Sequence, residues 1–188
     1  MQVLHNFLIE PFGDKLYDNT KDLGNGNSFI TSASIENHTV TNRQAIVASI
    51  PVIYNGPVKE GALVVVHHNV FRKYLDIKGK EKFASTLFRD NLYTASDLEV
   101  FAYKNDWNDE WTPIDPYCFV EPIANDDEMF NGSEKALHGV MKYSNEYLKS
   151  KGVDAGTKVG FAPESEYEFN LDGLKLYRIK SDSICMVL

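Results

Sequence analysis

Val153-Asp154-Ala155-Gly156-Thr157-Lys158-Val159 restates Val58-Lys59-Glu60-Gly61-Ala62-Leu63-Val64, each with the spacing V-x-x-G-x-x-V. Upstream, Phe119-Val120-Glu121-Pro122-Ile123 restates Leu8-Ile9-Glu10-Pro11-Phe12. Downstream, Asn170-Leu171-Asp172-Gly173 echoes Asp76-Ile77-Lys78-Gly79, and Ser181-Asp182-Ser183-Ile184-Cys185 echoes Ser96-Asp97-Leu98-Glu99-Val100. No single echo is decisive. The shared order argues for two copies of one small β unit, and an internal repeat decides the fold before anything else does. The acidic, aromatic run Asn105-Asp106-Trp107-Asn108-Asp109-Glu110-Trp111 separates the copies, which places one domain over 1–112 and a second over 113–188.

Short apolar runs between turn residues place both copies in the all-β class. Leu63 to His67 is a continuous apolar strand, which implies burial on both faces. Tyr54-Asn55-Gly56-Pro57 is a turn, and Asp172-Gly173 between two β-prone runs signals a tight hairpin. Ten Tyr and eleven Phe favour strands over long helices. One stretch is ambiguous. Leu137, Val140, Met141 and Leu148 fit one helical face, whereas the repeat puts Leu137 to Tyr143 on a strand, with a short helix at Asn145 to Lys151. The register of the echoes favours the strand. Nothing resembles an alternating βαβ pattern, and the close spacing of short strands suggests small barrels or sandwiches.

Composition limits the function classes. A chain of 188 residues with net charge −8 lacks the clustered Lys and Arg that a nucleic-acid backbone requires. Two cysteines do not make a disulfide scaffold, so a reducing compartment, the cytoplasm, is expected. Met1 to Phe12 has neither a basic nor an apolar leader region, and no apolar run is long enough for a membrane span. Phosphate-loop, nucleophile-elbow, metalloprotease and dinucleotide fingerprints are all missing, so the chain is expected not to be an enzyme and to need no cofactor.

The segment from Gly13 to Asn42 is polar and long for a connection inside a compact domain, and such loops are functional or disordered. Within it lies an apolar island, Phe29-Ile30, flanked by Ser28 and Thr31. The matching stretch of the second copy, Ala124 to Glu134, is much shorter and carries Met129-Phe130.

The run Gly152 to Phe161, followed by Glu166-Tyr167-Glu168-Phe169-Asn170-Leu171-Asp172-Gly173, Leu176-Tyr177-Arg178-Ile179 and Ser181-Asp182-Ser183-Ile184, resembles the C-terminal half of the GroES co-chaperonin family. That family has a V-x-x-G-D-x-V-x-F strand entry and a closing Y-x-I/V-x-x-x-x-D-I; here Thr157 and Ser183 stand where it has Asp. The first copy matches more weakly, through Val58-Lys59-Glu60-Gly61 and Leu63-Val64-Val65-Val66, and carries extra residues within Glu81 to Tyr93. Two tandem GroES-like β-barrels with long loops would be similar to the double-headed co-chaperonins of chloroplasts. The Asn-, Lys-, Ile- and Tyr-rich composition also suits a phage-encoded form.

The resemblance implies a role. A loop after the family's first strand carries a hydrophobic tripeptide that docks on a chaperonin ring. Here that loop is the mobile-loop candidate 13–42, with Ser28, Phe29, Ile30 and Thr31 as the contact and Met129-Phe130 as a second, poorer hook. Burying Phe29 and Ile30 would supply roughly 1.5–3 kcal/mol each. Ordering the loop would cost about 2–5 kcal/mol, so several loops in a ring are needed for avidity. The expected partner is a GroEL-like ring, and the expected state a homo-oligomer. Its free edges, Val3 to Ile9 and Ile184 to Leu188, would pair between subunits. Two alternatives belong to other classes: a virion decoration or scaffold protein built on the same barrels, and, less well supported, a ligand-binding domain like the GroES-like part of alcohol dehydrogenases.

Four further features read as structural. His67-His68 are adjacent, so in a strand they face opposite ways and do not chelate one ion. Cys118 lies in an apolar strand, where a buried inert thiol is the default. Glu164, Glu166 and Glu168 alternate as on one solvated strand face. Trp107 and Trp111 are expected to pack between the barrels.

Overall fold

The computed structural model describes residues 3–17, 20–22, 28–30, 40–125 and 134–188, with 20–22 and 28–30 described by their backbone. The chain divides into two compact units, Met1–Glu110 and Trp111–Leu188. Among the described residues no helix is long and apolar enough to cross a membrane.

The first unit contains β1 (Phe7–Pro11), β2 (Thr20–Asp22), β3 (Ser28–Ile30), β4 (Gln44–Ser49), β5 (Leu63–Val66), β6 (Lys73–Leu75), β7 (Glu81–Phe83), β8 (Leu87–Arg89), β9 (Leu92–Ala95) and β10 (Val100–Lys104). Six of these strands are hydrogen-bonded in the order β8-β9-β1-β4-β5-β10. The second unit contains β11 (Thr112–Pro113), β12 (Tyr117–Ala124), β13 (Glu134–Tyr143), the short helix α1 (Glu146–Ser150), β14 (Lys158–Phe161), β15 (Tyr167–Leu171), β16 (Leu174–Lys180) and β17 (Ile184–Val187). Its sheet runs β15-β16-β12-β13-β14-β17. The two orders are the same once β1 is laid on β12, β4 on β13 and β5 on β14.

Registers repeat as well. Ile9 pairs with Val47, Glu10 with Ile46 and Pro11 with Ala45; Val120 pairs with Met141, Glu121 with Val140 and Pro122 with Gly139. Both ladders slip at the matching place, between Leu8 and Ile9 and between Phe119 and Val120, and the second slips again between Pro122 and Ala124. Such bulges are specific features of a sheet rather than accidents. Glu10 and Glu121 are both exposed; Glu10 stands between buried Ile9 and Pro11, and Glu121 between buried Val120 and half-buried Pro122. The V-x-x-G-x-x-V segments make matching turns. Gly61 N donates to Val47 O at 2.8 Å and Gly156 N to Met141 O at 2.8 Å. Val47 N and Met141 N reply to Ala62 O at 2.9 Å and Thr157 O at 2.8 Å. Both glycines hold left-handed backbone, φ 80° and 88°, which a side chain disfavours.

Two of the four echoes pair differently from the sequence alignment. Val100 lies opposite Val66, and Ile184 opposite Phe161, after 3-10 turns at Asp97–Glu99 and Ser181–Ser183. The last echo is therefore shifted by one residue. Asp76 to Gly79 closes the separate β6–β7 ribbon, whereas Asp172-Gly173 joins β15 to β16. The counterpart of Asp172 is Asp90, between β8 and β9, and both hold positive φ, 53° and 45°. The extra element of the first unit is thus the ribbon at Lys73–Phe83, upstream of most of the expected stretch.

Architecture is all-β and antiparallel around one short helix. Among the described residues the end strands of neither sheet pair with each other, so neither sheet closes as the hydrogen-bonded barrel expected from sequence. Residues 134–143 form a strand, and the helix starts at Asn145, whose side chain accepts from Leu148 N at 2.9 Å. Leu63 to Val66 is buried throughout. In the second unit Cys118, Val120, Met141, Leu148, Val153, Val159, Phe161 and Ile179 form one core cluster. Phe119 supports the other face of its strand, with edge-to-face contacts to Phe169 at 5.7 Å and Tyr143 at 6.4 Å between centroids.

Candidate functional site

Since the two sheets match, what distinguishes the units is how strands are connected. The connection from first to second core strand is the long polar segment singled out in the sequence. It runs from β1 to β4 in the first unit and from β12 to β13 in the second.

Backbone contacts gather the first connection at its root. Tyr17 and Thr41 form an antiparallel bridge, and Asn42 N donates to Leu16 O at 2.9 Å. The Asn42 amide donates to Phe12 O at 2.9 Å and Lys15 O at 2.7 Å, while its oxygen accepts from Gln44 N at 2.9 Å. One side chain therefore ties the outgoing and returning strands together. Tyr17 fixes the root to the body, its hydroxyl accepting from Lys73 N at 2.8 Å. Beyond this root, β2 and β3 pair as a ribbon, with Thr20 opposite Ile30, Lys21 opposite Phe29 and Asp22 opposite Ser28. Part of the segment expected as a loop is thus paired backbone, and Ser28, Phe29 and Ile30 form its returning strand. Thr31 lies outside the described residues, as do Met129 and Phe130.

The second connection leaves β12 at Ala124, which pairs with Glu134 at the start of β13. Glu134 binds Lys175 at 2.7 Å and accepts from the Tyr177 hydroxyl; Lys175 also reaches Glu168 at 3.3 Å. Burial pushes the Glu134 carboxyl up, but these hydrogen bonds outweigh it and leave it below the usual range. The Glu134 contact raises Lys175 correspondingly. These side chains are well exposed, so the cluster fixes position more than it adds stability.

The remaining sequence candidates are accounted for by packing. His67 caps the 3-10 turn His68–Val70, its Nδ1 accepting from Asn69 N at 3.1 Å. The chain has left the strand there, so the His67 and His68 rings stack at 4.3 Å instead of facing opposite ways. Cys118 is buried, donates weakly to Ile179 O at 3.4 Å, and has its thiol pushed up to about 12 by burial. Only Glu168 of the three glutamates lies on β15, since Glu164 sits in a turn with φ 60°. Trp107 donates to Gly61 O at 3.2 Å and stands edge-on to Phe12 at 5.7 Å. Trp111 is buried and donates to Asp172 Oδ2 at 3.0 Å.

Asn42, Tyr17 and Glu134 were not singled out from sequence. An Asn placed directly before a strand is a turn signal for Asn42. Nothing local marks the other two. No protein-family model matches the sequence, and no curated protein matches it.

Proposed function

We propose that this chain is a co-chaperonin-like protein, built of two tandem GroES-like units, that assembles as a homo-oligomer and caps a chaperonin ring. The observation that carries this reading is the equivalence of the two connections. Each unit emits its segment between the same two core strands, the point at which the resembled family carries its ring-gripping loop. In the first unit that segment returns through Ser28-Phe29-Ile30, and its root is tied down by Asn42. The chain acts here by binding and closure, and ATP is hydrolysed by the partner. An apolar pair on a tethered segment gives weak single contacts that a ring multiplies.

The test mixes the purified chain with a bacterial chaperonin and ATP, then follows co-migration on a sizing column. Wild type should co-migrate with the ring. The double variant Phe29→Ser, Ile30→Ser should not, while keeping the wild-type circular dichroism spectrum. Failure of wild type to co-migrate, or full retention by the folded variant, refutes the proposal. The virion alternative predicts the first of these failures.

A further inference from the structure

We infer that the β6–β7 ribbon of the first unit is a docking element for an anionic lipid surface, entered tip first at Ile77. The ribbon is a two-stranded sheet of its own, with Lys73 opposite Phe83, Tyr74 opposite Lys82 and Leu75 opposite Glu81. Its root is tied to the body: Lys73 N donates to the Tyr17 hydroxyl at 2.8 Å, and Ala84 N to Arg72 O at 3.1 Å. Beyond that root Ile77 is fully exposed, and Tyr74, Leu75 and Phe83 are nearly half exposed. Alternation along the strands puts Leu75 and Phe83 on one face and Tyr74 on the other. Apolar surface is therefore open at the tip and on both faces, and contiguous exposed apolar surface marks a contact with another molecule or a membrane.

The charges of the ribbon select the partner. Lys73–Phe83 carries four lysines and two acids, in a chain of net charge −8. Both acids are spent within the ribbon. Asp76 Oδ1 accepts from Lys78 N and from Lys80 N, each at 2.9 Å, and Glu81 pairs with Lys73 at 2.7 Å. The ammonium groups of Lys78, Lys80 and Lys82 have no ion-pair partner among the described residues. An apolar tip flanked by free lysines suits anionic headgroups above an acyl boundary. Lysine stems lie along apolar surface with their charges outward, and a tyrosine settles at headgroup level. A folded partner would cover one face of the ribbon, whereas a fluid bilayer closes round both. The acidic remainder of the chain is screened from the tip, because Lys73 to Ile77 spans about 13 Å at roughly 3.3 Å per residue, beyond the screening length of about 8 Å at physiological salt.

This inference stands apart from ring capping, and its test uses no chaperonin. The full chain is floated with phosphatidylcholine vesicles that contain phosphatidylserine, and with vesicles of phosphatidylcholine alone. Wild type should float with the anionic vesicles and not with the neutral ones, and added salt should weaken its binding. The double variant Lys78→Gln, Lys80→Gln should lower the partition coefficient about thirtyfold, the factor that two lysines near an anionic surface set. Ile77→Ser leaves the charge unchanged and should lower it about tenfold through lost apolar burial. All three positions lie on the exposed turn, and the circular dichroism spectrum of each variant should match wild type. Absence of wild-type flotation, equal flotation with both vesicles, or full binding by either folded variant overturns the inference. Sedimentation velocity without lipid completes the test: a wild type that self-associates through these residues and does not float assigns the ribbon to a second copy of the chain and overturns it too.

Discussion

The equivalence of Gly61 and Gly156 leads to a quantitative expectation. Each is replaced in turn by alanine. Nothing lies within 4 Å of a Cβ added at either position, so sterics with neighbours contribute nothing. What remains is backbone. An L-residue in left-handed conformation costs about 1–2 kcal/mol. Alanine recovers part of that by restricting the unfolded chain, by about 0.4–1 kcal/mol. The net loss is about 1 kcal/mol at each site, because φ is 80° at one and 88° at the other and both N–H groups make a 2.8 Å bond to the same partner position. Native-state hydrogen exchange read by mass spectrometry on Leu63–Val66 and Lys158–Phe161 measures the two effects separately. Each alanine should speed exchange of its own strand about fivefold, the factor that 1 kcal/mol sets. A tenfold or greater difference between the two sites, or no loss at either, would refute the claim that these turns are structural twins.

Gly139 contrasts with them. A Cβ there meets Val120 Cγ1 and approaches Glu121 O to 2.7 Å, so Gly139→Ala should destabilise the second unit by about 1–3 kcal/mol, read as a lower urea midpoint; an unchanged midpoint would show that the β12–β13 ladder can spread. The register partner position in the first unit is Ala45, which is fully buried, so that sheet has already opened to admit a methyl group. The two thiols should also separate by reactivity. Cys185 is exposed, whereas Cys118 is buried with its thiol raised to about 12, so it stays protonated and unreactive as pH rises through 8 to 10. A thiol-reactive dye should label Cys185 alone in the native chain and both cysteines after unfolding; native labelling of Cys118 below pH 10 would contradict its burial.

Much of the frame was legible because the features that set it are local. A glycine at positive φ, a proline ending a strand and a four-residue apolar run each act within a turn or a single ladder. Repetition then made them visible: Glu10-Pro11 and Glu121-Pro122 mark the same rung of two sheets. The errors have equally physical causes. A Gly turn after an acidic residue suits any hairpin, so Asp76 to Gly79 was aligned with Asn170 to Gly173 although the two close different ribbons. The strand Leu92–Ala95 is short and flanked by polar residues, and only its partners Phe7, Leu8 and Ile9 make it a core strand.

The comparison of the two units also bears on where activity resides. Their sheets share order, register and bulge, so the frame alone cannot make one unit behave differently from the other. The differences lie in three connections. The first unit adds a ribbon after its first strand and another at Lys73–Phe83, and the second adds α1 between β13 and β14. In α1, Leu148 is buried and the Asn145 amide donates to Tyr117 O at 2.9 Å and Ser181 Oγ at 2.7 Å, while Tyr147 is exposed. The Lys73–Phe83 ribbon instead leaves Tyr74, Leu75, Ile77 and Phe83 exposed. Apolar residues held out on a paired ribbon add nothing to the core, and they cost solubility unless something covers them. The Lys73–Phe83 ribbon is therefore an uncovered apolar element of the first unit, whereas α1 contributes Leu148 to the core of the second. On this argument a partner contact is to be sought in the first unit, and substitutions that spare its sheet but alter its ribbons should separate binding from folding.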